Sequence, residues 1–166
     1  MIFREKYAFL SNFYNSYIRI NINGKEYAFT DVETAYQAHK NLNYIDEFVA
    51  IKNVPARAKR FAKTIPMYDL EDWNNVRRFT VMAKLLHIKF QDEDLLQKLL
   101  DTDDIEIKED NYWKDYVWGN CDGKGFNALG KLLMKIRETK NDFQKVNSYG
   151  LQLALEYQKE VNKIEN

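Results

Sequence analysis

Between Glu71 and Phe90, apolar side chains return every third or fourth residue, at Trp73, Val76, Phe79, Ala83, Leu86 and Phe90. This spacing puts them on one stripe of a long amphipathic helix, which is stable in water only if something covers the stripe. The rest of the 166-residue chain must supply that cover. A chain of this length fits one domain, because a core of this size offsets chain entropy without splitting. With 45% apolar residues, including 10 Phe and 11 Tyr, its composition is far from that of a disordered chain.

Other segments add shorter elements. Residues 17–29 alternate apolar and polar side chains around Asn23-Gly24, a pair that tolerates the positive φ angles of a two-residue turn, so a β-hairpin is expected. Thr30 is the expected cap of the next helix, with Glu33 reaching back to the Thr30 amide as in a capping box, and the helix running to about Asn41. Pro55 suits the first turn of a helix over roughly 55–63. Asp92 caps a helix carrying Leu95, Leu96, Leu99 and Leu100. Residues 105–108, IEIK, alternate like a short strand. Asn127 caps a helix with an apolar stripe of Ala128, Leu129, Leu132, Leu133 and Ile136, and a last helix covers about 150–163. No repeat, low-complexity tract or linker divides the chain. The fold class expected is α+β: a helix-rich single domain with a small β-hairpin.

Charge and cysteine usage exclude several function classes. Lys plus Arg equals Asp plus Glu, 25 against 25, so no global field draws the chain to nucleic acid or a membrane surface. No apolar run is long enough to span a bilayer. Cys121 is the single cysteine, which rules out an internal disulfide framework, and MIFREKYAFL lacks the plan of a signal peptide; a cytoplasmic protein is expected. His39 and His87 lie on separate helices outside any metal-ligand pattern, so no metal or other cofactor is expected. GNCDGKG lacks the spacing of a nucleotide-hydrolase phosphate loop, and no GxSxG elbow occurs.

Two regions could carry chemistry. Glu33, Gln37 and Lys40 stand at i, i+4 and i+7 with Tyr36 beside them, so an acid, an amide and an amine share one helix face. The plainer alternative is an exposed face with Glu33 spent as a cap. The loop from Asp110 to Asn127 holds Trp113, Asp115, Tyr116, Trp118, Asn120, Asp122 and Lys124 among three glycines. Rings that stack on bases and glycines that let backbone amides approach a phosphate suit ligand binding; an aromatic-cored Ω-loop is the structural alternative.

The motifs FREKYAFLSNFY (3–14), VETAYQAHK (32–40), DWNNVRRFTVM (72–82) and DYVWGNCDGKGFNALGKLLMKIRE (115–138) occur in this order. Together they resemble the NADAR family, which includes the YbiA-like N-glycosidases. The resemblance covers about residues 3–138, and the division expected from it is 1–138 as the glycosidase domain, with 139–166 as a C-terminal helical extension packed on it. It implies hydrolysis of a riboside at its anomeric carbon. Two substrate classes follow: ADP-ribose joined to guanine, in a nucleotide or in nucleic acid, or phosphoribosylamino-pyrimidine intermediates of riboflavin biosynthesis. WKDYVWGNCDGKGFN looks closer to the members that act on ADP-ribosylated guanine, and that reading is taken first. A noncatalytic module binding ADP-ribose or NAD is a further alternative, against which Glu33, Lys40 and Asp115 argue. No obligate protein partner is implied.

Carried over by motif, the catalytic residues implied are Glu33, Lys40, Asp115 and Trp73. The substrate-binding residues implied are Arg4, Ser11, Asn12, Phe13, Tyr36, Gln37, Trp118, Gly119, Lys124, Gly125 and Asn127. The chain departs from the family where Gly-Arg commonly follows an Ala-Lys-Arg stretch; Ala62-Lys63 stands there, so a bidentate guanidinium grip on phosphate becomes a point charge. Breaking a C1′–N bond builds positive charge on the ribose, which a carboxylate stabilises while another prepares water. Lys40 offers a second route, since a neutral amine can capture the opened sugar as a Schiff base.

Overall fold

The computed structural model describes residues 3–164. Residues 1, 2, 165 and 166, which the first ten-residue stretch and the expected segments 1–138 and 139–166 include, lie outside the described residues. The hairpin forms as expected: strands β1 (Ile18–Ile22) and β2 (Lys25–Phe29) pair antiparallel in the register Ile18 with Phe29 and Ile20 with Tyr27. Asn23 and Gly24 both take positive φ, 52° and 83°, which turns the chain in two residues. Ile18 and Ile20 face the core while Arg19 and Asn21 face solvent.

Helices α1 (Val32–Ala38), α2 (Ile45–Ala50) and α3 (Pro55–Ala62) follow. The cap of α1 corrects the expected one. Asp31 rather than Thr30 is the N-cap, its Oδ1 accepting the Thr34 amide at 2.7 Å. Thr30 instead donates its hydroxyl to Asp31 Oδ2 and accepts the Asn53 amide, so it buttresses the cap and ties in the approach to α3. Glu33 is thereby released from any capping role, and its amide donates to the Asn12 carbonyl.

The long stripe-bearing segment is helical from Leu70 to Lys89, but in three parts: α4 (Leu70–Asp72), a π-turn (Trp73–Arg77) and α5 (Arg78–Lys89). It is not a one-sided amphipathic helix. Phe79, Val81, Met82, Ala83, Leu85, Leu86, His87 and Lys89 of α5 are all buried, because α1, α7 (Ala128–Thr139), α8 (Phe143–Ile164) and β1 surround it. The packing of α8 on α5 depends on Gly150: a Cβ there would lie 2.8 Å from the Ala83 methyl carbon. α6 (Glu93–Leu100) starts at Asp92 as expected, with Asp92 Oδ1 accepting the Asp94 and Leu95 amides.

Two further expectations are corrected. Residues 105–108 form no strand; Ile107 is fully buried and the segment runs irregularly beneath the 110–127 loop. Asn127 makes no side-chain cap on α7; it sits at φ 55°, and its amide group instead spans the neighbouring segment, Nδ2 donating to the Ile107 carbonyl and Oδ1 accepting the Glu109 amide. A segment whose carbonyl and amide are bound by a side chain does not need a strand partner. The last helix starts at Phe143, seven residues before the expected 150, because Asp142 accepts the Lys145 amide one turn ahead of its apolar stripe. No helix among the described residues is long and apolar enough to cross a membrane.

Candidate active site

A cavity of about 630 Å³ opens where the Ser11–Phe13 turn, α1, α3, the π-turn and the 110–127 loop meet. α1 presents Glu33, Tyr36 and Gln37 to it, with Lys40 just past the helix end. Gln37 Nε2 donates to Glu33 Oε1 at 2.7 Å, and Lys59 Nζ of α3 stands 3.9 Å from the same oxygen. The π-turn contributes Trp73, Asn74 and the adjoining Arg78. Trp73 and Arg78 are five apart, positions that a continuous α-helix would rotate about 140° from each other. The wider turn brings both to the cavity, a use that π-turns often serve.

The Ser11–Phe13 turn is anchored from beneath. Lys89 Nζ, almost fully buried on α5, donates to the Ser11 carbonyl at 2.8 Å, and Ser11 Oγ accepts the Phe13 amide. Phe13 stands at the rim with Lys59 Nζ 5.7 Å from its ring centre. In the loop, Asp115 Oδ1 accepts the Val117 and Trp118 amides, which fixes the carboxyl against the backbone. Trp118 packs edge-on to Tyr36 at 5.7 Å and tilted on Phe79 at 5.5 Å, so it joins cavity wall to core.

Electrostatics sharpen this picture. Burial raises the Glu33 carboxyl above its ordinary value, opposed by Lys59, Gln37 and Lys40. Burial lowers Lys40, with Lys59 and Lys63 pushing the same way against Glu33. The Glu109 carboxyl is pushed up to about 8, by burial first and then by Asp115. Among the described residues, five buried side-chain polar atoms lack a hydrogen-bond partner: Asn12 Oδ1, Gln37 Oε1, Arg78 Nε, Glu109 Oε2 and Thr34 Oγ1. The first four belong to residues lining this cavity. Orphaned buried polar groups cost free energy, so four such residues gathered around one void make it the candidate site of this fold.

The structure brings together Ser11, Asn12, Phe13, Glu33, Tyr36, Gln37, Lys40, Trp73, Asp115 and Trp118 from the sequence-derived set. It places Arg4, Gly119, Lys124, Gly125 and Asn127 elsewhere than on the cavity lining. Arg4 is exposed ahead of the Glu5–Leu10 turn. Lys124 pairs its backbone with Cys121 in a tight turn. Gly119 and Gly125 are sites of close approach, where a Cβ would collide with the Glu109 and Gly119 carbonyl oxygens respectively. Lys59, Asn74, Arg78 and Glu109 line the cavity but were not singled out from sequence. Arg78 has no sequence signal without the π-turn, and Glu109, six residues before Asp115, lies between the expected strand at 105–108 and the loop from Asp110, where no periodicity marks it.

Residues 2–139 match the NADAR domain family. The chain is 35% identical over 140 residues to a riboflavin biosynthesis protein of Vibrio vulnificus; the match takes in 81% of this chain and 36% of that protein, so the chain spans about a third of that relative. It is 30% identical over 142 residues to an N-glycosidase of Acanthamoeba polyphaga mimivirus, covering 70% of this chain and 78% of that protein. The NMR structure of the Escherichia coli protein YbiA superposes with a TM-score of 0.69 at 30% identity, over 84% of this chain and 83% of that one. A cavity formed by the matched motifs, a family match across most of the chain and a shared fold lead to one conclusion: this chain belongs to the NADAR domain family and has the helix-rich, hairpin-bearing fold of YbiA.

Proposed function

We propose that the chain is an N-glycosidase that hydrolyses the bond between ribose C1′ and the nitrogen of a base, acting on phosphoribosylamino-pyrimidines of the riboflavin pathway. The observation that carries this reading is the convergence of Glu33, Lys40 and Asp115, from two separate segments, on one cavity rich in orphaned polar atoms. The Vibrio and mimivirus relatives support it by the activities in their names. Lys59 and Arg78 offer the cations a phosphoribosyl group needs, so the exchange of a guanidinium for Lys63 does not strip the cavity of positive charge.

Glu33 and Asp115 stabilise the charge that develops on the ribose as the C1′–N bond lengthens. Lys40, lowered by burial, supplies an amine that adds at C1′ and displaces the base nitrogen, after which water releases the sugar as its free aldehyde. The ADP-ribosylated-guanine substrate class loses the lead it had from the loop sequence. The riboflavin biosynthesis relative supports the pyrimidine class instead, and of the loop Trp113, Asp115, Val117 and Trp118 line the cavity while Gly119, Lys124 and Gly125 are not among its lining residues. One assay tests both classes: incubation with a phosphoribosylamino-pyrimidine and, separately, with ADP-ribosylated guanosine monophosphate. The expected result is release of ribose 5-phosphate and aminopyrimidine from the first. Release of ADP-ribose from the second alone would replace the substrate class, and no release from either would overturn the glycosidase reading.

A further inference from the structure

A departing base nitrogen must pick up a proton as its bond to C1′ breaks, and the residues named so far leave that proton without a source. Glu33 is arranged as a carboxylate: its Oε1 accepts from Gln37 and faces Lys59. Glu109 is arranged in the opposite sense. Its Oε2 is buried and accepts no hydrogen bond, while the residue itself lines the same cavity beside Asp115. An ionised carboxylate with one oxygen in that position would be desolvated and unpaired there, whereas a protonated carboxyl has an OH group to donate and needs no partner at the buried oxygen.

The loop is built to hold this carboxyl. Asn127 Oδ1 accepts the Glu109 amide at 3.1 Å, and the Asn120 amide donates to the Glu109 carbonyl at 2.8 Å, so both sides of the Glu109 backbone are fixed. Gly119 leaves the room: a Cβ there would lie 3.1 Å from Glu109 Oε2 and would run into the Glu109 carbonyl. Three loop positions that do not touch the cavity thus converge on the placement of one side chain that does. Such support from fixed backbone is what a proton-transfer group needs to stay within reach of its partner.

We propose that Glu109 is the general acid of this site, handing its proton to the base nitrogen as the C1′–N bond breaks; the proposal rests on the glycosidase reading. The electron pair of the C1′–N bond leaves with the nitrogen, which gains the Glu109 proton. C1′ is taken by the Lys40 amine, whose adduct water later hydrolyses, or directly by water, and the proton lost by the attacking amine or water restores Glu109 through solvent. The charged groups facing Glu109 are Asp115 of its own loop and Glu33 of α1, which favour the acid form, and Lys59 of α3, which opposes them. Burial outweighs Lys59 and keeps the proton on up to about pH 8.

The test compares wild type with Glu109→Gln on a phosphoribosylamino-pyrimidine and on 4-nitrophenyl riboside, whose leaving group needs no proton. Wild-type kcat is expected to fall as pH rises through about 8. E109Q should lose on the order of 10²-fold or more in kcat on the amine substrate and lack that alkaline limb. Its loss on the nitrophenyl riboside should be smaller by at least roughly tenfold. Active wild type with no alkaline limb, or E109Q that keeps both activity and limb, overturns the role of Glu109 while the glycosidase reading stands. If wild type acts only on ADP-ribosylated guanosine monophosphate, the same pH and E109Q comparison on that substrate decides the acid role; wild type inert toward all three overturns the glycosidase reading and the acid role with it. If E109Q does not fold, the wild-type limb alone decides.

Discussion

Gln37 Nε2 donates to Glu33 Oε1 across one turn of α1, at 2.7 Å, and this leaves Gln37 Oε1 buried without a partner at the cavity. The pair exists because Asp31 caps the helix and Glu33 does not. The position of a carboxylate in the cavity, rather than helix stability, is therefore what Glu33 provides. Glu33→Gln keeps the size of the side chain and deletes only the charge. It should lower kcat by about 10²- to 10⁴-fold while the thermal midpoint moves little. Near-normal turnover in E33Q, measured alongside a melting curve, would return Glu33 to a purely structural role.

Gly119 and Gly123 separate two costs of adding a methyl group. At Gly119 a Cβ would strike the Glu109 carbonyl and lie 2.6 Å from Asn111 Nδ2. At Gly123, φ is +78° and nothing lies within 4 Å. Gly123→Ala should cost about 1 kcal/mol through backbone strain and spare turnover. Gly119→Ala should cost about 1–3 kcal/mol and also displace Glu109, so activity should fall even well below the melting transition. Thermal denaturation with activity assayed at a common low temperature distinguishes them. A G119A protein with wild-type turnover would break the link between this glycine and the site.

The elements legible in the sequence are those set by local chemistry. Asn23-Gly24 specifies a two-residue turn whatever surrounds it, Pro55 opens α3, and Asp92 caps α6 because no adjacent residue competes. At the start of α1 two capping residues stand side by side, and the choice of Asp31 over Thr30 depends on the contact of Thr30 with Asn53, 23 positions away. IEIK alternates like a strand, but side-chain bonds from Asn127 occupy the backbone groups on either side of Lys108 that a ladder would use. Of the cavity, the α1 face was readable because Glu33, Tyr36, Gln37 and Lys40 share one helical period. Arg78 and Glu109 were not, since a π-turn and a long-range loop anchor leave no periodic trace.

Lys89 offers a test of how the Ser11–Phe13 turn is held. Burial lowers its amine to about 7, with Asp31 opposing, and Nζ donates to the Ser11 carbonyl. A lysine whose folded value lies below its unfolded one binds fewer protons when folded, so its contribution to stability is fully present above the ordinary lysine value and is lost as pH falls toward about 7. Glu109 titrates with the opposite sign, its contribution being lost as pH rises through about 8, so only the difference between variants is diagnostic. Between pH 7 and 10 the thermal midpoint of wild type should rise relative to that of Lys89→Met. Parallel curves for the two proteins across that window would show that Lys89 is not the neutral strut inferred from its burial.

Lys40 poses the sharpest question, because covalent capture and simple charge stabilisation require opposite protonation states. Glu33 favours the ammonium form, while burial, Lys59 and Lys63 favour the amine, and burial is the largest effect. The net lowering favours an amine able to attack C1′. Borohydride added during turnover should then reduce the Lys40–sugar imine to a stable adduct, located on this residue by peptide mass spectrometry. Lys40→Arg keeps a positive charge and much of the reach but cannot form the imine, so kcat should fall by at least about 10³-fold. No adduct during active turnover, together with substantial activity in K40R, would eliminate the covalent route. Glu33 and Asp115 would then remain as the two carboxylates that stabilise the ribosyl cation and prepare water for direct attack.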